Sequence, residues 1–424
     1  MKKIHIIIYT FLFLVLLSPV QSTLAQGYTR DSLSMGSGYA NDIYYSFANG
    51  VVAQVPRDNW DIAFYSSIMS AGIMVNEGAG VNLYTYPKDD TSAWSTVDTT
   101  GLSTWPVLHN SSKNWEDGAF NVNQKGDYDY GWGIYNMVTH NLTGDSLYII
   151  SLPDGSLKKL WIINKISIEN IYHFRYANID GSDEQFVELN DSSYTAKNFA
   201  YYSIQNNEVI DREPPANTWD ILFTKYIDMV PDNDGNMVPY AVTGATNNIN
   251  VGASHFHPVA SDFNNWGTES FVYQKNAIGA GWKYFDMNDF TYHMVDSTYY
   301  FVKTLNGDVY KLKFIYWDYT DGSFALDKKL VSLASVDLPT APINALHLFP
   351  IPANDHVTIQ MDETIRGESN VHIYDLNGRI VLSQQVSQSG LTNGTTINFT
   401  LPHGLYFVKV NNGNSVYSEK LLVQ

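Results

Sequence analysis

Between residues 26 and 335 the side chains best suited to chemistry are six histidines: His109, His140, His173, His255, His257 and His293. Imidazole is the commonest metal ligand and titrates near neutrality, so metal binding is the first chemistry they raise. His255 and His257 form a His-x-His, and because side chains alternate along a strand, both rings fall on one face as a transition-metal pair. No carboxylate stands beside them in sequence to complete a ligand set. Asp232-Asn233-Asp234-Gly235-Asn236 looks like part of a calcium loop but lacks the earlier acidic ligand and the terminal glutamate, so it reads as a polar turn. Catalytic signatures are missing: the chain has no Gly-x-Ser-x-Gly elbow, no His-Glu-x-x-His and no phosphate-cradling glycine loop. A non-enzymatic protein is expected.

The elements that must position these residues occur twice. Trp60-Asp61-Ile62-Ala63-Phe64 returns as Trp219-Asp220-Ile221-Leu222-Phe223, and three further landmarks follow in the same order. Asn114-Trp115 matches Asn265-Trp266, Gly131-Trp132 matches Gly281-Trp282, and Asp154-Gly155 before Lys158-Lys159-Leu160 matches Asn306-Gly307 before Tyr310-Lys311-Leu312. The offsets are 159, 151, 150 and 152 residues, a register that chance does not hold across four motifs. Upstream, Tyr44-Tyr45-Ser46-Phe47 is echoed by Tyr201-Tyr202-Ser203-Ile204. Two units are therefore expected, 26–195 and 196–335. Each carries one histidine before its Asn-Trp landmark (His109; His255 or His257) and one after its Gly-Trp landmark (His140; His293).

Short β-branched and aromatic runs bounded by turn residues dominate, such as Ser146-Leu147-Tyr148-Ile149-Ile150 and Tyr299-Tyr300-Phe301-Val302, and long helical periodicity is absent. The expected fold class is all-β, with antiparallel units. Asp154-Gly155 and Asn306-Gly307 each sit between two such runs and signal a hairpin, whose type I′ turn requires positive φ at both central residues. The repeated tryptophans read as core framework first, since large aromatics dominate core energetics.

Residues 1–25 read as a secretory signal: Lys2-Lys3, an apolar run from Ile6 to Leu17, and the small-residue site ending at Ala25. The run is too short to span a membrane, and no later stretch is long and apolar enough, so no transmembrane segment is expected. With no cysteine there are no disulfides, no thiolate metal site and no lipidated N-terminal Cys. A formal charge of −18 argues against nucleic acid or anionic lipid as partner.

After a Pro-containing connector at 336–345, a separate module occupies 346–424. Its landmarks are Leu348-Phe349-Pro350-Ile351-Pro352-Ala353, Tyr374-Asp375-Leu376-Asn377-Gly378-Arg379 and Gly404-Leu405-Tyr406-Phe407-Val408-Lys409-Val410. They read physically as a small sandwich of alternating strands. They also closely resemble the type A C-terminal sorting domain of the type IX secretion system of the Bacteroidota. The resemblance implies passage across the outer membrane by that machinery, then release or attachment to surface polysaccharide, so the protein is expected to be secreted or at the cell surface.

The duplicated unit resembles the HmuY family of haem-binding proteins. The matching residues are the Trp-Asp-Ile-x-Phe strand, the following Val75-Asn76-x-Gly78 or Val242-Thr243-Gly244, and Tyr300-Phe301-Val302-Lys303-Thr304-x-Asn306-Gly307-x-x-Tyr310-Lys311-Leu312-Lys313-Phe314. The resemblance implies an all-β fold, export, and capture of haem, free or from haem-carrying host proteins, for iron acquisition. A six-coordinate haem takes two His or Met donors on opposite sides of an apolar slot. His257 with His293 is the first candidate pair for haem, and His109 with His140 is its equivalent in the first copy; Met287 and Met294 are alternative donors. A cell-surface interaction or adhesion protein that reuses the fold without haem is the alternative, and glycan binding through exposed aromatics a third.

Overall fold

The computed structural model describes residues 27–232, 234–333, 346–361, 369–375, 379–411 and 416–424. The signal segment 1–25 and the connector 336–345 lie outside them, as do Asn233 of the acidic turn and Leu376-Asn377-Gly378 of the tail. The chain divides into two compact units, one up to Leu333 and one from Ala334 to Gln424.

The first unit is built from two matched series of strands. The first comprises β1 (Thr29–Ser34), β2 (Asn41–Ser46), β3 (Gly50–Pro56), β4 (Ile62–Tyr65), β5 (Ile73–Val75), β6 (Asn82–Thr85), β7 (Gly133–Tyr135), β8 (Leu142–Gly144), β9 (Tyr148–Ser151), β10 (Leu157–Ile166) and β11 (Ile171–Asn178). The second comprises β12 (Gln185–Asn190), β13 (Phe199–Ser203), β14 (Glu208–Ile210), β15 (Ile221–Pro231), β16 (Met237–Asn247), β17 (Gly252–Phe256), β18 (Lys283–Asp286), β19 (Thr291–Met294), β20 (Tyr299–Lys303), β21 (Val309–Trp317) and β22 (Ser323–Ser332). All their pairings are antiparallel.

The sheets do not divide where the sequence repeat divides. The leading strands of each copy cross to the other: β2 pairs with β15 and β1 with β22, while β13 pairs with β4 and β12 with β11. Half A is therefore β4 to β14, a continuous stretch of chain, and half B is β15 to β22 closed by β1 to β3. The cores divide the same way. Ile62, Phe64, Trp132, Ile150 and Phe174 pack with Ala200 and Tyr202 in half A, and Ile221, Phe223, Trp282 and Phe314 pack with Met35, Ile43, Tyr45 and Phe47 in half B.

The two duplicated motifs meet across this exchange. Asp61 Oδ2 accepts from the backbone N–H of Ile204 (2.7 Å) and Gln205 (3.1 Å), directly after the second Tyr-Tyr-Ser. Asp220 Oδ2 accepts from Phe47 N (2.8 Å), at the end of the first. Burial pushes both carboxyls upward against the stabilising pull of those donors. Each Asp thus ties down a strand from the other copy, which is why Trp-Asp and Tyr-Tyr-Ser recur together. A second fastener is also duplicated: Asn76 Nδ2 donates to the carbonyls of Arg57 and Trp60, and Asn248 Nδ2 to those of Ala216 and Trp219. The structural counterpart of Asn76 is therefore Asn248 rather than Thr243, because β15 and β16 form a much longer hairpin than β4 and β5 and displace the matching position.

Both expected hairpins form, β9–β10 and β20–β21. Their turns are not type I′, since only the glycines have positive φ, Gly155 at 83° and Gly307 at 87°. A type I turn followed by a glycine bulge needs the left-handed conformation at one residue, not two. Of the repeated tryptophans, Trp132, Trp219 and Trp282 are core.

The second unit is a small sandwich. One sheet holds β23 (Leu346–Phe349), β24 (His356–Met361) and β27 (Thr395–Asn398). The other holds β25 (Ser369–Tyr374), β26 (Ile380–Val386), β28 (Gly404–Asn411) and β29 (Val416–Val423), and a helix α1 (Gln388–Asn393) precedes β27. Alternate residues Val357, Ile359, Val371, Ile373, Val408 and Val410 fill the space between.

Candidate functional site

Turns ordinarily carry Gly, Asn, Asp and Ser, so exposed apolar turn residues call for an explanation. In half A three turns adjoin: 66–72 between β4 and β5, 136–141 between β7 and β8, and 167–170 between β10 and β11. Ser167 N donates to Asn141 Oδ1 (3.1 Å), and Asn170 Nδ2 to the Ser66 carbonyl (3.0 Å). Together these turns expose Ile68, Met69, Met137, Val138 and Ile168, with Met69, Val138 and Ile168 each more than 80% exposed at 87%, 88% and 84%.

Half B repeats the arrangement with other side chains. The turns after β15, β18 and β21 and their flanks expose Met229, Met237, Tyr240, Met287, Phe290 and Tyr319. Lys283 Nζ donates to the Thr243 carbonyl, joining β18 to β16, and the rings of Tyr292 and Tyr319 lie 6.0 Å apart. The middle hairpins share one register: Ile134 pairs with Thr143 as Tyr284 pairs with His293, and His140 N donates to Asn136 O as Phe290 N does to Asp286 O. Met137 and Met287 consequently hold the same turn position.

The bases of these tips carry buried polar groups. Lys165 reaches the carbonyls of Ser67 and Ser70 beneath the first turn of half A, and burial lowers its ammonium to about 8 while raising the nearby Asp191 carboxyl to about 7. In half B the Lys283 ammonium sits 3.9 Å from the Trp282 ring and 4.5 Å from Trp317, and burial lowers it to about 7.

The histidines separate into two groups. His140 and His293 stand on the middle hairpins. His140 sits in the turn with φ +60°, its Nδ1 2.6 Å from Tyr135 Oη, so its counterpart is Phe290 and not the strand position of His293. The counterpart of His293 is Thr143. His293 Nε2 lies 2.7 Å from Asp289 Oδ2, and its ring stacks on Tyr284 at 5.6 Å. In each case one ring nitrogen is oriented by a neighbour and the other has no partner among the described residues, as in metal-ligating histidines. Asp286, Asp289 and His293 also bring one ligand atom each within 4.8 Å of one another.

His109 lies elsewhere, against Glu77 at 2.6 Å near the junction of the halves. His257 is held by Thr298 Oγ1 (2.8 Å), and it shares no hydrogen-bond partner or ring contact with His293 among the described residues. His255 and His257 do lie side by side, rings 6.4 Å apart and nearly parallel, with His255 stacked on Tyr300. The acidic turn closes on itself, Asp232 Oδ1 accepting from Asp234 N and Asn236 N.

Where half A meets half B, Arg212 Nη2 donates to Asp42 Oδ2 (2.8 Å) and to the Pro56 carbonyl (3.0 Å), with both side chains buried. Beside it Glu213 accepts from Asn198 N, Phe199 N and Tyr201 Oη, each at 3.1 Å, and burial raises its carboxyl to about 7. The adjoining cavity measures about 60 Å³. That admits a few waters, whereas small-molecule sites run to roughly 300–1,000 Å³. The junction is structural, and it titrates. Because Glu213 holds its proton more tightly folded than unfolded, its contribution is fully present below about 4.5 and is lost as pH rises through about 7. Unfolding midpoints are expected to rise on acidification from pH 7.5 to 5.5, and Glu213→Gln to flatten that rise, measured by thermal denaturation at matched ionic strength.

Sequence reasoning missed the tips. The signal was present in Ile68-Met69 and Met137-Val138, apolar pairs inside otherwise polar turn sequences.

No helix among the described residues is long and apolar enough to cross a membrane. Residues 347–424 match the family described as the secretion system C-terminal sorting domain. No curated protein matches the chain. The tail directs the protein through type IX secretion, to the cell surface or into the medium.

Proposed function

We propose that the first unit is an exported, non-enzymatic binding protein that takes a flat apolar ligand of the haem class on its hairpin tips, serving iron acquisition. The observation that carries this reading is the repeated tip. At the same end of both halves, a Met-bearing middle hairpin with an oriented histidine stands among exposed apolar side chains, His140 with Met137 in half A and His293 with Met287 in half B. Imidazole and thioether are the usual axial donors to haem iron, and exposed apolar surface supplies the slot. The residue-level resemblance to HmuY-like proteins supports the same ligand.

The test is a haemin titration of the mature protein, read at the Soret band. A saturable low-spin spectrum is expected, with His140→Ala and His293→Ala each removing the signal of its own half and the double variant removing both. A flat titration overturns the haem reading. It would leave a surface interaction protein whose Met-rich tips adapt to a protein partner, which the polarisable, flexible Met side chain favours.

A further inference from the structure

Half A also carries a groove on the outer face of its sheet, and it rests on residues other than the exposed apolar side chains of the hairpin tips. Strand register sets two rows across β10, β11 and the edge strand β12. One row is Trp161, Arg175 and Phe186; the other is Asn164, His173 and Glu188. The Arg175 guanidinium lies 4.7 Å from the Trp161 ring, 4.1 Å from Trp94 and 5.6 Å from Phe186, whose own ring is 68% exposed. In the second row Asn164 Oδ1 is 2.7 Å from His173 Nδ1, and His173 Nε2 is 3.4 Å from Glu188 Oε2. An open groove of about 410 Å³ lies along the second row, lined by Asn164, His173 and Glu188 together with Phe186 from the first row and Ile163, Phe174 and Val187. Its volume falls in the range of roughly 300–1,000 Å³ typical of small-ligand sites.

The internal duplication supplies the control. The framework of half B is the same, yet its matching row is Lys313, Asp327 and Arg30, a solvent-facing charge ladder in which Arg30 grips Asp327 at 2.7 and 2.9 Å. The other row there is Tyr316, Ala325 and Ser32. Folding this sheet therefore requires neither an exposed phenyl ring nor an Asn-His-Glu chain, and half A carries both.

We propose that this groove binds one ring of a neutral glycan. The apolar C–H face of a pyranose packs on an exposed aromatic ring such as Phe186, and its hydroxyls both donate and accept, matching the amide of Asn164, which does both, and the carboxylate of Glu188, which accepts. Charge selects a neutral occupant: Arg175 is answered by Glu184 at 3.4 Å and His173 faces Glu188, so among the described residues lining or flanking the groove no cation is left free to draw an acidic sugar.

The mature full-length protein is applied to an array of neutral hexose and N-acetylhexosamine oligosaccharides, with sialylated and uronic-acid glycans as charged controls. At least one neutral glycan is expected to be retained. Phe186→Ala and Asn164→Ala should each weaken retention by about ten-fold or more, the loss of roughly one well-packed anchor. Arg30→Ala, at the matching place in half B, should leave it unchanged. Phe186 and Asn164 face outward, and equal melting temperatures for the variants confirm that the fold is intact. Retention of acidic glycans alone, of no glycan, or of neutral glycans equally by both groove variants overturns the proposal.

Discussion

A chain shortened to begin at Arg57 is expected to keep half A and lose half B. The missing strands bring Met35, Ile43, Tyr44, Tyr45 and Phe47, each at most 1% exposed. At roughly 1.5–3 kcal/mol per buried large apolar side chain, their removal costs on the order of 10 kcal/mol, comparable with the whole stability of a domain. It also leaves β15 and β22 without partners along β2 and β1. Half A contributes no residue before Asp61 to its own sheets, so it stays folded. Limited proteolysis with mass spectrometry reads the result: a resistant core near residues 61–210, with the region beyond cut freely. Protection of residues 221–332 in the shortened chain would show that half B completes itself without the exchange.

Replacing Arg212 with methionine is the second large effect. The side chain follows β14, the last strand of half A, while its partner Asp42 belongs to β2 of half B. Removing one member of a buried ion pair leaves the other charged and unanswered, which costs about 3–5 kcal/mol. Asp42 Oδ1 already lacks a hydrogen-bond partner among the described residues, so the carboxylate has little else to turn to. Chemical denaturation is expected to show a lower midpoint for Arg212→Met. Asp42→Asn in the same background should recover part of it, because a neutral amide tolerates burial better than an unpaired carboxylate. Additive losses in the double variant would mean that the pair does not couple the halves.

Much of this was written in the chain. The duplication, the all-β class, the hairpins at Asp154-Gly155 and Asn306-Gly307 and the sandwich of the tail all follow from local pattern, since β-branched and aromatic alternation and turn residues act over a few positions. The strand exchange was not legible, although both of its parts were. Trp-Asp and Tyr-Tyr-Ser were visible as repeats, but nothing local says whether Asp61 fastens the nearby Tyr44-Tyr45-Ser46 or the distant copy, because both copies present the same backbone donors. Sequence could place His293 after Gly281-Trp282; it could not place His140 in a left-handed turn, since that depends on how the whole hairpin closes. The outer face of half A was invisible for a similar reason: Asn164, His173 and Glu188 are brought together only by the register of three strands.

The crossing of β1 to β22 also sets the order in which the molecule can assemble. Thr29 pairs with Lys328, a separation that makes this among the least local contacts in the chain, and non-local pairing is slow because a long loop must close before any contact rewards it. As a chain emerges N-terminus first, half A can condense once residue 210 is available, while β1 and the β2–β3 hairpin wait for the strands of half B that complete their sheets. The two ends of the first unit then join last, side by side in one sheet, with the sorting tail leaving from the strand that receives the beginning of the chain. Completion of that final seam marks a full-length molecule: a chain truncated at either end of the unit fails at the same edge, and presents it as an open strand.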